Sequence, residues 1–261
     1  MSITKNKIKD LKSLQTKKGR HESGCFPAEG VRLLEEALRF KYFPEILYYA
    51  PAILSERGHQ LIKQFASKGV KTEEISTANI NQIAATQESQ GLLAVFKTPD
   101  KTKLPGTNHR KQLWCENISD PGNLGTLMRS AAAFGFNSII LSGQVVEPHS
   151  PKVVRSSVGA VFAVDISIAD KKEILDMIDK NGSKLIATDL RGENNIKNLS
   201  NYDNKAKLVL AIGSEAEGLS RDIISRADMR IKIEHSNNVE SLNAAIAGSI
   251  LMSRFYQADK D

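Results

Sequence analysis

Residues 117–131 read Asn-Ile-Ser-Asp-Pro-Gly-Asn-Leu-Gly-Thr-Leu-Met-Arg-Ser-Ala, a polar turn that runs without a break into an apolar helix carrying one arginine. Proline fixes φ at the second position of Asp120-Pro121-Gly122-Asn123, while glycine and asparagine accept conformations that other residues avoid. The quartet therefore predicts a sharp loop. From there Leu124, Leu127, Met128, Ala131 and Ala132 recur at helical spacing. Arg129 falls inside that run, and an arginine beside a buried helix face usually has an anionic or polar partner.

Outward from this stretch, residues 112–115, 138–141, 162–165, 184–188, 207–212 and 229–233 are short runs, mostly β-branched or leucine-rich, with helical stretches between most of them. Strands alternating with helices predict an α/β fold built on a mostly parallel sheet with helices on both faces, whose ligands bind at the carboxyl ends of the strands. The loops after Cys115, Thr188, Ile212 and Ile233 then share one rim. The first half alternates as well, with helices over 27–42, 55–68 and about 77–85, and strands over 45–50, 70–75 and 92–96. Residues 98–108 hold two prolines, one glycine and two lysines with little apolar content, the composition of a linker. The boundary placed there gives two domains, 1–104 and 105–261.

The composition, 41% apolar and 25% charged, is that of an ordinary globular protein. No apolar run reaches the roughly 18 residues of a membrane span, and the N-terminus lacks the apolar stretch of a signal peptide, so a cytoplasmic protein with no membrane partner is expected. Cys25 and Cys115 lie far apart and are expected to be free thiols. His21, His59, His109, His149 and His235 show no metal-ligand spacing, so no metal is expected. No G-x-S-x-G elbow is present, which excludes that class of hydrolase, and no G-x-G-x-x-G turn follows the first strand of the second half.

The net charge of +6 is unevenly placed, for residues 1–20 hold seven basic residues against the single acid Asp10. Lys12, Lys17, Lys18 and Arg20 belong to this basic arm and first helix, an electrostatic footprint that fits nucleic acid.

Two more segments join the opening one on the rim. Residues 208–220, Leu-Val-Leu-Ala-Ile-Gly-Ser-Glu-Ala-Glu-Gly-Leu-Ser, are a buried-strand run broken by Gly213, where backbone can approach a ligand. Residues 239–250, Val-Glu-Ser-Leu-Asn-Ala-Ala-Ile-Ala-Gly-Ser-Ile, begin a small-residue helix with Ser241 as its expected N-cap. Asn123, Arg129, Glu215, Ser241 and Asn243 are thus five polar residues at element ends on one rim. In order, the three segments resemble the three motifs of the SpoU (TrmH-like) RNA ribose methyltransferases of the SPOUT superfamily. The first half resembles the substrate-binding domain many members carry, through Lys17-Lys18-Gly19-Arg20, Ala28-Glu29-Gly30 and the run from Ser89 to Val95.

The resemblance implies a small N-terminal α/β RNA-binding domain and a C-terminal SPOUT domain with a deep trefoil knot, paired as a homodimer through that domain. It implies S-adenosylmethionine held against Thr188, Gly213, Ile233 and Leu242, and methyl transfer to a ribose 2′-hydroxyl in structured RNA, ribosomal rather than transfer RNA. Family mechanisms make Arg129 the activating group. Because a guanidinium stays protonated in proteins, its fitting role is a cation that binds the neighbouring phosphate and stabilises developing alkoxide. Ser241 and Asn243 would orient the ribose, and Asn123 and Glu215 would fix the arginine and the loops. One departure stands before the third motif: Ile233-Glu234-His235-Ser236-Asn237 keeps the family's isoleucine but not its proline, methionine and glycine. That departure bears on cofactor affinity and defines the alternative reading, a non-catalytic RNA-binding or ribosome-assembly factor that retains the fold.

Overall fold

The alternation of strand and helix resolves into two sheets, one of four strands and one of seven. A computed structural model describes residues 3–86, 89–100, 102, 104, 109–192, 194–195, 206–236 and 238–257. The chain divides into two units, Met1–Pro99 with Glu147–Phe162, and Asp100–Val146 with Ala163–Asp261. Most of the linker composition at 98–108 lies outside the described residues.

In the first unit α1 (Lys5–Ser13), α2 (Lys17–Ser23), β1 (Cys25–Glu29), α3 (Val31–Arg39), β2 (Ile46–Tyr49), α4 (Glu56–Ser67), β3 (Lys71–Glu74), α5 (Thr77–Ile83) and β4 (Leu92–Lys97) follow in order. Its sheet runs β1-β4-β2-β3, antiparallel except for the β2/β3 pair. The expected helix over 27–42 is shorter than its apolar stripe, because Pro27 sits in β1 opposite Val95. A proline is tolerated there since β1 is an edge strand that need not donate on both sides. Gly30, at φ 96°, then turns the chain into α3.

The basic arm is two capped helices. Thr4 and Thr16 accept hydrogen bonds from the backbone N–H of Lys7 (3.3 Å) and Gly19 (3.1 Å). Leu11 and Leu14 are buried in a core with Tyr48, Ile80, Ile83 and Leu93, while Lys12, Lys17 and Lys18 stay exposed. Arg20 departs from the expectation of a nucleic-acid contact. It is 5% exposed, and its guanidinium spans both carboxylate oxygens of Glu147 (2.9 and 2.5 Å) and donates to the Leu14 carbonyl (2.8 Å). An arginine so committed braces the unit, since removing either partner leaves a buried charge.

The second unit strings β5 (Lys111–Glu116), α6 (Pro121–Ala133), β6 (Ser138–Ser142), β7 (Asp165–Ile168), α8 (Lys171–Asn181), β8 (Lys184–Thr188), β9 (Asn194–Asn195), β10 (Leu208–Ile212), α9 (Arg221–Arg226), β11 (Met229–Lys232) and α10 (Ala244–Gln257). Between β6 and β7, α7 (Pro151–Ser156) belongs to the first unit. The sheet order is β7-β6-β5-β10-β8-β11-β9, and every pair is parallel. Parallel strands aim all their carboxyl ends at one rim, so the loops after β5, β8, β10 and β11 gather there. The strand expected at 162–165 begins only at Asp165. Phe162 instead ends a single 3-10 turn and stacks among Phe26, Tyr42 and Phe96 of the first unit.

Both cysteines are free, and burial pushes the Cys115 thiol on β5 up to about 12. Among the described residues no helix is long and apolar enough to cross a membrane.

Asp228, before β11, accepts from Lys184 Nζ (2.7 Å) and the Leu185 N–H (2.8 Å). Burial raises its carboxyl, but these donors and the lysine charge outweigh that and hold it below 3.8. A depressed folded-state value contributes stability above the unfolded value and loses it as pH falls. Asp228→Asn should therefore lower the melting temperature at neutral pH, and thermal melts should converge with wild type as pH drops below 3.8.

Candidate active site

The opening stretch forms differently from a free loop. Pro121, Gly122 and Asn123 are the first turn of α6, with Asp120 as N-cap accepting from the Asn123 N–H at 2.8 Å. Proline lacks the N–H that a first helical residue leaves unused, and its fixed φ suits the helix, so the quartet starts α6 instead of preceding it. Asn123 thus stands at the amino end of α6, on the carboxyl rim.

The loop after β10 turns back on itself at once. A Cβ on Gly213 would lie 2.2 Å from the Gly218 carbonyl carbon, so only glycine allows this approach. Gly218 closes the turn at φ 66° and donates its N–H to the Ser214 carbonyl at 2.9 Å. The base of the loop is held by Glu116, 5% exposed at the end of β5, which accepts from the Ser220 N–H at 2.7 Å. The sequence reading passed over Glu116; an acid placed directly after the apolar run Leu113-Trp114-Cys115 was the available signal.

At the head of α10 the cap is Asn243, not Ser241. Asn243 Oδ1 accepts from the N–H groups of Ala245 (3.0 Å) and Ile246 (3.2 Å), the second and third helical positions. Ser241 lies two residues before the cap, exposed, and lines the rim cavity.

Glu215 joins these three pieces. Its Oε1 accepts from Asn123 Nδ2 (3.0 Å), from Asn243 Nδ2 and from the Ala244 N–H (3.3 Å), and Asn243 Nδ2 also donates to Asn123 Oδ1 (2.9 Å). A carboxylate at a helix N-terminus gains from the unpaired N–H groups and the helix dipole. Arg129, farther along α6, is exposed, and among the described residues it has no hydrogen-bond or ion-pair partner. The expected tether from Glu215 to Arg129 is therefore absent among the described residues, and Glu215 Oε1 is directed to the two asparagines and the helix end instead.

Beside this joint lies a cavity of about 260 Å³, lined by the loops after β8, β10 and β11 and by the start of α10. Thr188, Gly213, Ile233 and Leu242 all line it, as do Ile212, Ile231, Ala244 and Ala247. Asn123, Arg129 and Asn243 lie outside its lining. His235 of the altered loop contributes to the wall, its Nδ1 donating to the Ser236 carbonyl at 3.0 Å, and Asn237 lies outside the described residues. The walls combine aliphatic side chains, loop backbone and the hydroxyls of Thr188, Ser214 and Ser241, a set that suits a flat apolar ring attached to a sugar. Among the described residues no group of His, Cys, Asp or Glu is arranged to hold a metal.

Fold and rim cavity together define a methyltransferase of the SPOUT class. The chain belongs to the SpoU rRNA methylase family, whose model matches residues 110–253, and residues 5–94 match the MRM3-like substrate binding domain. It is 31% identical over 94% of its length, and 88% of the relative's, to an uncharacterized tRNA/rRNA methyltransferase of Synechocystis. It is 28% identical over 96% of both chains to the 23S rRNA (guanosine(2553)-2′-O)-methyltransferase RlmP of Bacillus subtilis. Among solved structures, an AdoMet-bound rRNA methyltransferase from Sinorhizobium meliloti superposes with a TM-score of 0.83 at 29% identity, covering 98% of this chain and 96% of that one.

Gly213→Ala forces backbone apart on both sides of the loop, a strain of about 1–3 kcal/mol or more. It should weaken S-adenosylmethionine binding at least about tenfold, read by calorimetry, at a largely retained fold by circular dichroism.

Proposed function

We infer that the protein transfers a methyl group from S-adenosylmethionine to a ribose 2′-hydroxyl of ribosomal RNA. The observation that carries this reading is the junction of Asn123, Glu215 and Asn243, which brings three rim segments together beside one cavity whose walls fit the donor. The names borne by the relatives, and the substrate-binding domain ahead of the catalytic unit, support RNA as substrate and favour ribosomal RNA.

Thr188, Gly213, Ile233 and Leu242 hold the donor, chiefly through loop backbone. When bound, it supplies an electrophilic methyl group. Ser241, at the cavity wall, presents a hydroxyl to the incoming ribose. Asn243 has its oxygen in the α10 cap and its amide on Glu215 and Asn123, so it acts by setting the position of α10. Arg129, whose guanidinium has no partner among the described residues, meets the phosphate next to the target ribose and offsets the charge that grows on the 2′-oxygen. A homodimer through the C-terminal domain and a deep trefoil knot around the cavity are part of the same proposal, as is the division at residues 104/105 between RNA-binding and catalytic parts.

Removing one preorganised cation from a charge-developing site costs about 10²–10³ in kcat. Arg129→Ala should therefore bind S-adenosylmethionine as wild type does while methylating ribosomal RNA about a hundredfold more slowly. Undiminished methylation would refute the assignment. Failure of the wild type to bind the donor in a calorimetric titration would favour the non-catalytic alternative, and mapping 2′-O-methyl sites in cells with and without the protein identifies the nucleotide.

The exposed lysines of α1 and α2 can be tested without touching the core. Lys12→Ala/Lys17→Ala/Lys18→Ala should weaken RNA binding and lower its salt dependence by roughly 0.7–0.9 per lost phosphate contact, with donor affinity unchanged. Deleting residues 1–20 would be a poorer test, since it removes the buried Leu11, Leu14 and Arg20.

A further inference from the structure

Next to the donor cavity the second unit has a separate cleft of about 480 Å³, lined by Arg191, Arg221 and Arg230 together with Ser225 and floored by Leu219 and Ile224. Among the described residues its lining contains no acid. Arg191, Leu219 and Ile224 line both cavities, so the two are contiguous.

Arg191 and Arg221 bring two guanidiniums to one cleft with no carboxylate in its described lining, an arrangement that favours an incoming anion. The neighbouring carboxylates are engaged elsewhere: Asp222 with Lys171 (2.6 Å), Asp228 with Lys184 (2.7 Å) and Asp179 with Arg226. Arg221, exposed at the start of α9, has no partner among the described residues. Arg191 only approaches Asp189, at 3.9 Å, with its side chain 91% exposed. Glu215 and Glu217 line the donor cavity and not this cleft.

The turn that carries Arg191 is built rather than loose. Asp189 donates its N–H to the Ile231 carbonyl (3.0 Å), and its Oδ1 accepts from the Arg191 N–H (3.0 Å). A Cβ on Gly192 would come within 2.9 Å of the Arg230 carbonyl oxygen, so the turn presses against β11 where Arg230 stands.

We propose that this cleft binds a backbone phosphate of the RNA substrate and fixes the register of the strand beside the donor cavity. The proposal rests on the RNA reading above. A cleft lined by charge of one sign concentrates its field on an incoming anion, and arginine's planar fork matches phosphate oxygens bidentately. Such contacts position a strand without reading its bases, so the cleft adds affinity and register but no sequence preference.

The test uses the full chain and total ribosomal RNA, with binding measured across a salt series for wild type, Arg221→Ala, the Arg191→Ala/Arg221→Ala double variant and Lys180→Ala. Lys180 is an exposed lysine of α8 outside the cleft and controls for net charge. Each lost phosphate contact should lower the slope of log K against log salt by about 0.7–0.9, so the double variant falls by roughly twice that while Lys180→Ala stays at wild type. Donor affinity stays unchanged in Arg221→Ala and Lys180→Ala, whose replaced residues lie outside the donor cavity. Double-variant binding equal to wild type overturns the cleft and leaves the RNA reading standing. A double variant that loses affinity for ATP but none for RNA also overturns it, assigning the cleft to a small phosphate. A wild-type protein that binds no ribosomal RNA overturns the RNA reading, and the cleft with it.

Discussion

A single carboxylate oxygen, Oε1 of Glu215, takes hydrogen bonds from the first turn of α6, from the cap of α10 and from the first N–H of α10. These segments lie about 30 to 120 residues apart in the chain, and in a parallel sheet their only common ground is the carboxyl rim. The joint therefore decides where α10 begins relative to α6, and with it one wall of the rim cavity. Glu215 reaches this place only because the loop it belongs to turns back immediately after β10. That turn depends on the missing side chain of Gly213 and on the positive φ of Gly218. Farther along the same helices, Gly248 permits the same close approach, where a Cβ would meet Leu127 at 2.6 Å, and Ser130 and Ser249 share a hydrogen bond of 2.6 Å.

Glu215 Oε1 is engaged in this way, and Arg129 has no counter-charge among the described residues. That suits the role proposed for it, since a guanidinium already paired within the protein has fewer donors left for a phosphate. Arg20 shows the opposite case. Its pairing with Glu147 ties the segment that carries α7 to the first unit, while Lys12, Lys17 and Lys18 nearby are exposed. Two arginines of the same chain, both picked out by sequence, thus divide into one that reaches outward and one that braces the fold.

Strongly periodic segments were legible from sequence because their apolar positions repeat whatever their partners: the strands at β5, β6, β8 and β10 begin and end within a residue or so of expectation. Element ends were less so. Asp120-Pro121-Gly122-Asn123 has both turn and helix-start chemistry, and Asp120 accepting from Asn123 settled it as helix. Ser241 and Asn243 are both good caps, and the choice depended on which of them the Glu215 joint places at the first turn of α10. Pro27 became strand because an edge position beside β4 was open to it, and Phe162 left the strand pattern because aromatic partners drew it into the first unit's core. None of those partners lies nearby in sequence.

By itself the sequence determined the class of fold and the order of the three rim segments, which follow from local spacing and residue type, and the resemblance of those segments pointed to the family and to Thr188, Gly213, Ile233 and Leu242, all of which line the rim cavity. Only the tertiary structure decided which polar groups are spent and which remain available: Glu215 and Asn243 on the joint, Arg20 on Glu147, Arg129 and Arg221 on nothing among the described residues. The physical reason is that a hydrogen bond or ion pair is a property of two groups in space. A residue's chemistry limits what it can bind, but its availability depends on what long-range folding has already placed within about 3 Å of it.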